Sequence, residues 1–342
     1  MIKATFVTAA APQIGGGHVL RCLALAESLA ALGVRSRFAI DRVTRDTVGL
    51  LESSGAEVVE TTPAIAHRHP ALRDTDIAIF DGYTLNHAVE VGWNGIAGLR
   101  VAIDDLANRS HDCDVLVDHA AGRERTHYAG LVPTGCTVLT GPTYALMRPE
   151  FRALRPRALA RHQGQAPRRV LIAMGLTDVG GASRHAVEGV LLAGRGLAID
   201  VVTGRTAGSL PWLEAQARAG ALRLHVDLDA RGMAELMTEA DIAIGSGGGT
   251  GLERCCLGLP SLVIVLADNQ REGVASLVRL GAATSLGDLA AATPQHIAAA
   301  LAALDDDRQT LADQARAAAA IVDGAGAQRV SRILLDRLAA AR

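Results

Sequence analysis

Short runs rich in β-branched residues alternate with long alanine- and leucine-rich segments along most of the chain, and this alternation restricts the possible folds most strongly. Such alternation is typical of βαβ units, which build parallel sheets covered by helices. Uninterrupted apolar runs indicate strands that are buried on both faces. The sequence therefore predicts an α/β fold, with the strands ATFVTA, SRFAI, DIAIF, RVAI, DVLV and TVLT in the first half and RVLIAM, AIDVVTG, RLHV, DIAIG and SLVIVLA in the second.

One arginine-rich stretch with three prolines, RPEFRALRPRALARHQGQAPRR, interrupts this rhythm. The chain has 342 residues, which is more than one compact core usually holds and is typical of two domains. We therefore predict two Rossmann-like domains with a cleft between them, formed by residues 1–150 and 169–342 and joined by a linker at 151–168. The helix-rich tail from Pro294 could cross back onto the first domain.

The charge balance argues against several classes of partner. Lys plus Arg is 34 and Asp plus Glu is 36, and the resulting net charge of −2 does not favour binding to nucleic acid or to anionic lipid. No apolar run reaches the ~18 residues of a membrane-spanning helix. The five cysteines include no C-x-x-C pair and are typical of core residues in a reducing compartment. We expect a cytoplasmic protein without a nucleic-acid or membrane partner; the oligomeric state stays open.

Three glycines followed by a histidine stand where the first predicted strand gives way to a long helix. A helix start usually carries Ser, Thr, Asp or Asn as its cap. Gly16 and Gly17 instead leave bare backbone, which a ligand can approach closely and whose N–H groups attract anions. The spacing is not that of a dinucleotide fingerprint, and no lysine follows as in a P-loop. A tight strand-to-helix turn is the simpler interpretation of the glycines alone.

His18 makes a catalytic interpretation of this turn more specific. The positive end of the helix dipole disfavours a charged imidazole, and a neutral one can accept a proton from water. General-base assistance of this kind typically contributes ~10²–10⁴ in rate. The competing interpretations are a helix cap or a surface histidine. Arg21, one turn along, could hold an anionic group or pair with a carboxylate.

A second glycine-rich turn, in DIAIGSGGGTGLERCC, repeats this architecture in the second half of the chain. Ligands of open α/β sheets bind beyond the carboxyl ends of the strands. The backbone N–H groups of Gly247, Gly248, Gly249 and Thr250 could hold a diphosphate, and Glu253 could accept hydrogen bonds from ribose hydroxyls. The alternative is a glycine turn followed by a solvated glutamate.

Two further candidates follow predicted strands. Gly175, Thr177 and Asp178 come after the first strand of the second domain, at the edge where a nucleotide would bind. Asp81 and Tyr83 come after a strand of the first domain, although core packing with a satisfied hydroxyl would also explain the tyrosine.

Four motifs together resemble a known family: QIGGGHVLRCLALAESL, IDDLANRSHDCDVLVDHAAG, YAGLVPTGCTVLTGPTYALMRPEF and GLERCCLGLPSLVIVLADNQ. They are similar to the bacterial UDP-2,4-diacetamido-2,4,6-trideoxy-β-L-altropyranose hydrolases of pseudaminic acid biosynthesis, over roughly residues 1 to 285. The resemblance implies removal of UDP from a nucleotide sugar by water, without a cofactor or a metal ion. More distantly, the two-domain plan resembles GT-B glycosyltransferases of the lipid II type.

The resemblance also implies roles for individual residues. The family's catalytic histidine, active-site tyrosine and asparagine fall on His18, Tyr83 and Asn269. The family's nucleotide-binding turns fall on Gly175, Thr177 and Asp178 and on the glycine loop with Glu253. We expect the sugar side of the site to be lined by Gly16, Gly17, Arg21, Asp81 and Gln270.

Three departures from the family pattern are visible. The stretch TAAAPQ replaces a D-A-S motif before the glycine loop, and Asp118, His119 and Ala120 replace D-Q-N. Both positions belong to the sugar side of the predicted site. Leu176 replaces the second glycine of a G-G-T-D turn on the nucleotide side.

Other functions compete with hydrolysis. A GT-B glycosyltransferase would use an acceptor hydroxyl in place of water, and a non-catalytic nucleotide-sugar-binding protein would need no histidine at position 18. A dinucleotide oxidoreductase is disfavoured, because the G-x-G-x-x-G spacing is missing. No Asp-x-Asp pair or His/Cys cluster accompanies the predicted phosphate site, and the adjacent Asp104 and Asp105 would lie on opposite faces of an extended chain. We therefore expect no metal.

Overall fold

A computed structural model describes residues 1–11, 15–161 and 166–341 of the protein. The chain forms two compact units, the first made of Met1–Pro149 with Gly324–Arg342 and the second of Glu150–Asp323. Ile14, at the start of the glycine–histidine motif, lies outside the described residues.

The first unit contains a parallel sheet. Its strands are β1 (Lys3–Thr8), β2 (Arg35–Ile40), β3 (Glu57–Glu60), β4 (Ile77–Asp81), β5 (Leu99–Ile103), β6 (Val115–Asp118) and β7 (Thr137–Thr140). Their order across the sheet is β3-β2-β1-β4-β5-β6-β7. The chain therefore runs outward from β1 to one edge and then returns to the other side of β1. Ligand sites of open α/β sheets lie at such a switch point, here between β1 and β4.

The second unit contains another parallel sheet with the same kind of switch. Its strands are β8 (Arg169–Ala173), β9 (Ala198–Thr203), β10 (Arg223–Val226), β11 (Ile242–Ser246), β12 (Ser261–Val265) and β13 (Thr284–Asp288). They are ordered β10-β9-β8-β11-β12-β13, so that the switch lies between β8 and β11. The predicted α/β class is confirmed in both units.

Helices connect the strands and cover the sheets, as parallel pairing requires. They are α1 (Gly17–Ala30), α2 (Arg42–Thr47), α3 (Leu50–Ser53), α4 (His87–Val91), α5 (Pro149–Arg161), α6 (Ala182–Ala193), α7 (Leu210–Arg218), α8 (Ala230–Glu239), α9 (Thr250–Cys256), α10 (Arg271–Arg279), α11 (Pro294–Asp306), α12 (Arg308–Ile321) and α13 (Gly326–Ala341).

The central strands are anchored by large apolar side chains. In the first unit, Phe6 of β1 and Phe38 of β2 are fully buried and their rings stack with centroids 4.9 Å apart. In the second unit, Ile172, Ile244 and Ile264 are fully buried in neighbouring strands. Burial of each such side chain stabilises the fold by about 1.5–3 kcal/mol. The ends of these strands are therefore rigid platforms for the loops that follow them.

Strands β3 and β13 were not predicted from the sequence. Both lie at the outer edge of their sheets, and they read EVVE and TSLGD. An edge strand is covered on fewer sides, so it needs no continuous apolar run. These two edge strands lack the apolar run that predicts a buried strand.

The arginine-rich stretch predicted as a linker is mostly helix α5, which packs within the second unit. Its Phe151 and Ala158 are buried, and the guanidinium of Arg155 donates to the carbonyl oxygens of Cys256 and Ala319. Arg155 therefore satisfies backbone carbonyls of the second unit, whereas Arg161 pairs with the carboxylate of Asp241. Composition alone could not show this, because the carbonyls lie far away in sequence.

The last helix, α13, belongs to the first unit and packs on α1. The hydroxyls of Ser331 and Ser28 lie 2.9 Å apart, and Arg329 donates to the carbonyl oxygen of Thr143 at 2.9 Å. Gly326 begins the helix so close to Ala145 that any side chain at this position would collide with the backbone. Helices α11 and α12 remain in the second unit.

Candidate active site

His18 lies at the start of α1, after the loop that follows β1. Its side chain is 6% exposed, so it is not a surface histidine. The helix is capped by Gly16 without a side-chain hydrogen bond, and a methyl group at Gly17 would meet no atom within 4 Å. The space next to the backbone of Gly17 is therefore open, and the next residue along the chain is the buried His18.

The imidazole of His18 is bound by a buried carboxylate. Its Nδ1 lies 2.6 Å from Oδ1 of Asp81, the last residue of the adjacent strand β4. Burial raises the pKa of Asp81, but the charges of Arg21 and His18 outweigh it and hold that pKa well below its usual range. Because the carboxylate is ionised, we assign the imidazole proton to Nδ1, from where it is donated to Asp81. Nε2 then carries the lone pair that can accept a proton.

Arg21 completes the enclosure of this carboxylate. Its Nε donates to Oδ2 of Asp81 and its Nη2 to Oδ1, each at 2.6 Å, while Nη1 donates to Oδ2 of Asp105 at 2.9 Å. Asp81 is 0% exposed. Of the two interpretations given for Arg21, the structure shows pairing with carboxylates, and contact of Asp81 or Arg21 with a substrate stays a prediction.

Tyr83 packs against the catalytic candidate. Its ring meets that of His18 edge-on, with centroids 4.5 Å apart and planes at 83°. Its hydroxyl donates to Oδ2 of Asp105 at 3.4 Å. The predicted residues His18, Arg21, Asp81 and Tyr83 therefore form one cluster, to which Asp105 is an unpredicted addition.

A second network of carboxylates follows β5 and β6. The hydroxyl of Tyr128 lies 2.9 Å from Oδ2 of Asp104 and 2.8 Å from Oδ2 of Asp118. Arg109 forms an ion pair with Asp104 at 2.8 Å, and Arg123 forms one with Asp118 at 2.6 Å. Burial raises the pKa of Asp118 to about 6. The adjacent Asp104 and Asp105 thus have different partners, and Asp104 helps to hold the loops in place.

His119, which follows β6, is a second buried histidine at this sheet edge. It is 7% exposed, and its Nδ1 is sealed from solvent without a hydrogen-bond partner in the described part of the chain. Burial, assisted by the charge of Arg21, lowers the pKa of His119 to about 4. The imidazole is therefore neutral at physiological pH. The sequence marks this position only as a departure from the family pattern.

In the second unit, the turn after β8 is built by unusual backbone conformations. Gly175 has φ of 95° and Asp178 has φ of 44°, whereas Leu176 does not adopt a positive φ and is tolerated without strain. Thr177 is buried. The carboxylate of Asp178 accepts the N–H of Ser183 at 2.9 Å and the hydroxyl of Ser209. Its side chain thus stabilises the start of α6, although a nucleotide contact was predicted.

The glycine loop after β11 is held by Gln270. The side-chain oxygen of Gln270 accepts the N–H of Gly247 at 3.2 Å and that of Leu266 at 3.0 Å. This bond uses the Gly247 donor that was expected to bind a diphosphate. Among the described residues, the N–H groups of Gly248, Gly249 and Thr250 find no acceptor. The loop therefore retains three backbone donors for an anion, and Gln270 shapes it.

Arg254 lies in helix α9, next to this loop, and was not predicted as a functional residue. It is 2% exposed and donates to the carbonyl oxygen of Ser246 at 2.9 Å and to the hydroxyl of Thr250 at 3.3 Å. The only signal in the sequence is an arginine one residue after the predicted ribose ligand.

The remaining predicted residues lie in the second unit. Glu253 is half-buried on α9, and Asn269 is exposed in the turn after β12. Across residues 1–11, 15–161 and 166–341, no group of three or more His, Cys, Asp or Glu side chains is arranged to hold a metal ion. Within the same residues, no helix is long and apolar enough to span a membrane.

Two curated proteins are similar to this chain. A protein of Methanocaldococcus jannaschii is 24% identical over 79% of this chain and 57% of its own length. The UDP-2,4-diacetamido-2,4,6-trideoxy-beta-L-altropyranose hydrolase of Campylobacter jejuni is 28% identical over 44% of this chain and 53% of its own length. The chain thus spans little more than half of each relative. Residues 229–330 match the model of the glycosyltransferase family 28 C-terminal domain.

Solved structures share the fold across nearly the whole chain. MurG of Acinetobacter baumannii superimposes with a TM-score of 0.66 at 17% identity, covering 98% of this chain and 100% of that structure. The UDP-GlcNAc 2-epimerase of Neisseria meningitidis, bound to UDP-GlcNAc, gives 0.63 at 14% identity, covering 99% and 100%. The protein thus has a GT-B-like α/β fold.

Proposed function

We propose that this protein is a nucleotide-sugar hydrolase that releases UDP from a UDP-linked sugar. The observation that carries the proposal is the bond between His18 Nδ1 and the ionised, fully buried Asp81. This bond orients the imidazole and leaves Nε2 as a proton acceptor. A protein that only binds nucleotide sugars has no need of such a pair.

In the proposed reaction, His18 acts as a general base. Its Nε2 takes a proton from water while the water oxygen forms a bond to the anomeric carbon. The bond from that carbon to the UDP oxygen breaks, and its electron pair leaves with UDP. The imidazolium that forms is stabilised by the negative charge of Asp81. A single displacement of this kind inverts the configuration at the anomeric carbon.

The second unit is proposed to bind UDP. The N–H groups of Gly248, Gly249 and Thr250 are available to receive the diphosphate and to stabilise its charge as it leaves. Glu253 accepts hydrogen bonds from the ribose hydroxyls in this proposal. Tyr83 and Asn269 orient the sugar, as the family resemblance implies. No metal ion takes part.

We propose UDP-2,4-diacetamido-2,4,6-trideoxy-β-L-altropyranose as the substrate, which places the reaction in pseudaminic acid biosynthesis. Two observations support this choice, namely the motifs described above and the similarity to the Campylobacter jejuni protein of that name. A glycosyltransferase is the second candidate, and the match of residues 229–330 to a family 28 glycosyltransferase domain favours it. There, an acceptor hydroxyl replaces the water.

The two candidates are separated by incubating the protein with UDP-sugars, with and without acceptor sugars, and following UDP release and the sugar product by NMR. Hydrolysis predicts free sugar of inverted anomeric configuration at the first time points, without acceptor. It also predicts full turnover in EDTA. UDP release that requires an acceptor would contradict the hydrolase, and loss of turnover in EDTA that Mg²⁺ restores would contradict the metal-free mechanism.

A further inference from the structure

Arg254 is a buried cation whose hydrogen bonds reach both ends of the glycine loop. Its Nη2 donates to the backbone carbonyl of Ser246, where the loop begins, and its Nη1 donates to the hydroxyl of Thr250, where the loop ends. Its Nε is sealed from solvent without an acceptor in the described part of the chain. The guanidinium thus lies directly against the loop but is hidden from water.

No carboxylate forms an ion pair with Arg254 in the described ranges. Burial lowers the pKa of Arg254 to about 10, so the side chain is still charged at neutral pH. Arg21 in the first unit is less enclosed, with 13% of its side chain exposed, and has Asp81 and Asp105 as partners. The carboxylate of the neighbouring Glu253 attracts this charge but does not form an ion pair with it. Burial of a charge without an ion-pair partner is unfavourable, and an anion that binds next to Arg254 would offset this cost.

The strand beneath the loop is adapted to this side chain. Gly245, near the end of β11, does not have a positive φ, so the backbone conformation does not require glycine there. A Cβ at this position would collide with Nη1 of Arg254 and would come within 3.1 Å of the carbonyl oxygen of Ala173. The missing side chain of Gly245 therefore provides the space in which the guanidinium lies.

The loop that Arg254 contacts is also the loop with unused backbone donors. The N–H groups of Gly248, Gly249 and Thr250 have no acceptor among the described residues. Because the hydroxyl oxygen of Thr250 already accepts from Arg254, its proton is free to be donated outward. Backbone donors with no acceptor and a buried cation with no ion-pair partner, both among the described residues, are suited to the same kind of ligand, a negatively charged group.

We infer that Arg254 is a positioning residue for the diphosphate of the bound nucleotide. The negative charge of the diphosphate balances the buried guanidinium, and Arg254 holds the loop in place through Ser246 and Thr250. This inference rests on the proposed function only in taking UDP as the ligand. In this inference the diphosphate is recognised by the backbone N–H groups of the loop and also by the positive charge of Arg254, which lies behind the loop. Uridine, which has no phosphate, does not use this charge.

The test compares two substitutions that separate charge from hydrogen bonding. Arg254→Gln keeps hydrogen-bond donors but removes the charge. Arg254→Lys keeps the charge but loses the planar guanidinium and its paired N–H donors. Affinities for UDP and for uridine are measured by calorimetry at pH 6, where a buried lysine is more readily protonated. We expect Arg254→Gln to weaken UDP binding about 10- to 100-fold while uridine binding is unchanged. Arg254→Lys restores most of the UDP affinity.

A purely structural arginine gives a different result. Both ligands would then lose affinity in parallel, or the glutamine and lysine variants would behave alike, and either outcome overturns the inference. Unchanged UDP affinity in Arg254→Gln overturns it as well. If wild-type protein binds UDP through Arg254 but releases none from UDP-sugars, the proposed hydrolysis fails and the inference stands. Wild-type protein that does not prefer UDP to uridine refutes the inference even if hydrolysis is observed.

Discussion

The two sheet edges of this protein carry opposite kinds of functional groups. At the edge of the first unit, charged side chains dominate, and each of the carboxylates described there has a cationic partner: Asp81 and Asp105 pair with Arg21, Asp104 with Arg109, and Asp118 with Arg123. At the edge of the second unit, the loop after β11 offers backbone N–H groups and one buried arginine without a carboxylate partner in the described chain.

This difference separates two tasks that the same architecture can perform. Proton transfer needs titratable side chains in a defined tautomer, which the first edge provides through His18 and Asp81. Binding of a polyanion needs hydrogen-bond donors and positive charge, which the loop after β11 and Arg254 provide at the second edge. We therefore expect substitutions in the first unit to change turnover and those in the second unit to change nucleotide affinity.

The largest effect is expected for His18→Asn. Without the general base, turnover should fall by ~10²–10⁴, while UDP affinity stays near that of the wild type. Turnover of the wild type should also decrease at low pH, because a protonated imidazole cannot accept a proton, and this acid limb should disappear in the variant. Single-turnover rates at saturating substrate across pH, with calorimetry for UDP, measure both effects.

His87→Asn is the matched control for this experiment, because His87 is exposed and lies in the same unit. It should behave like the wild type in rate and in pH profile. Proportionate loss of UDP binding and turnover in His18→Asn would contradict the assignment of proton transfer to the first unit and nucleotide binding to the second. Release of UDP at the wild-type rate would refute the mechanism.

The next effect concerns Glu253 in the second unit. Glu253→Ala should weaken UDP binding by ~1.5–3 kcal/mol, because a charged hydrogen bond to ribose is lost, while the fold stays intact. Calorimetry with UDP and thermal unfolding test this. Glu235→Ala, at an exposed glutamate of α8, is the control and should bind UDP normally. Unchanged affinity in Glu253→Ala would remove this residue from the site.

The smallest expected effect is a pH-dependent loss of stability, caused by the buried His119 at the edge of the first unit. In the folded protein the pKa of His119 is about 4, below the ordinary value of 6.5. The neutral form is therefore favoured by folding, so this contribution to stability is complete above pH 6.5 and is lost as pH falls toward 4. Linkage puts the loss between pH 7.5 and pH 5 at about 2 kcal/mol. His119→Gln should lack this part of the pH dependence.

Urea unfolding at pH 7.5 and at pH 5, for wild type and variant, measures this difference. His87→Gln is the control, because an exposed histidine should leave the pH dependence as it is in the wild type. An identical loss of stability in wild type and His119→Gln would show that His119 is not held neutral in the folded state.

Features set by neighbouring residues were predicted well from the sequence. The buried strands, the α/β class and the two glycine loops are encoded by local periodicity and turn chemistry. Prediction failed at two edge strands, β3 and β13, whose sequences contain no continuous apolar run. It also failed for α5, where a composition typical of a linker belongs to a helix whose Arg155 binds distant carbonyl oxygens.

The candidate site shows the same division. The sequence alone determined that a histidine follows a glycine turn at a helix start and that a second glycine loop precedes Glu253. Only the tertiary structure decided that the partner of His18 is Asp81, 63 residues away, that Gln270 binds Gly247, and that Arg254 is buried without a carboxylate partner in the described chain. The physical reason is that local patterns are read from residues a few positions apart, whereas side-chain partners depend on which strands become neighbours in the sheet.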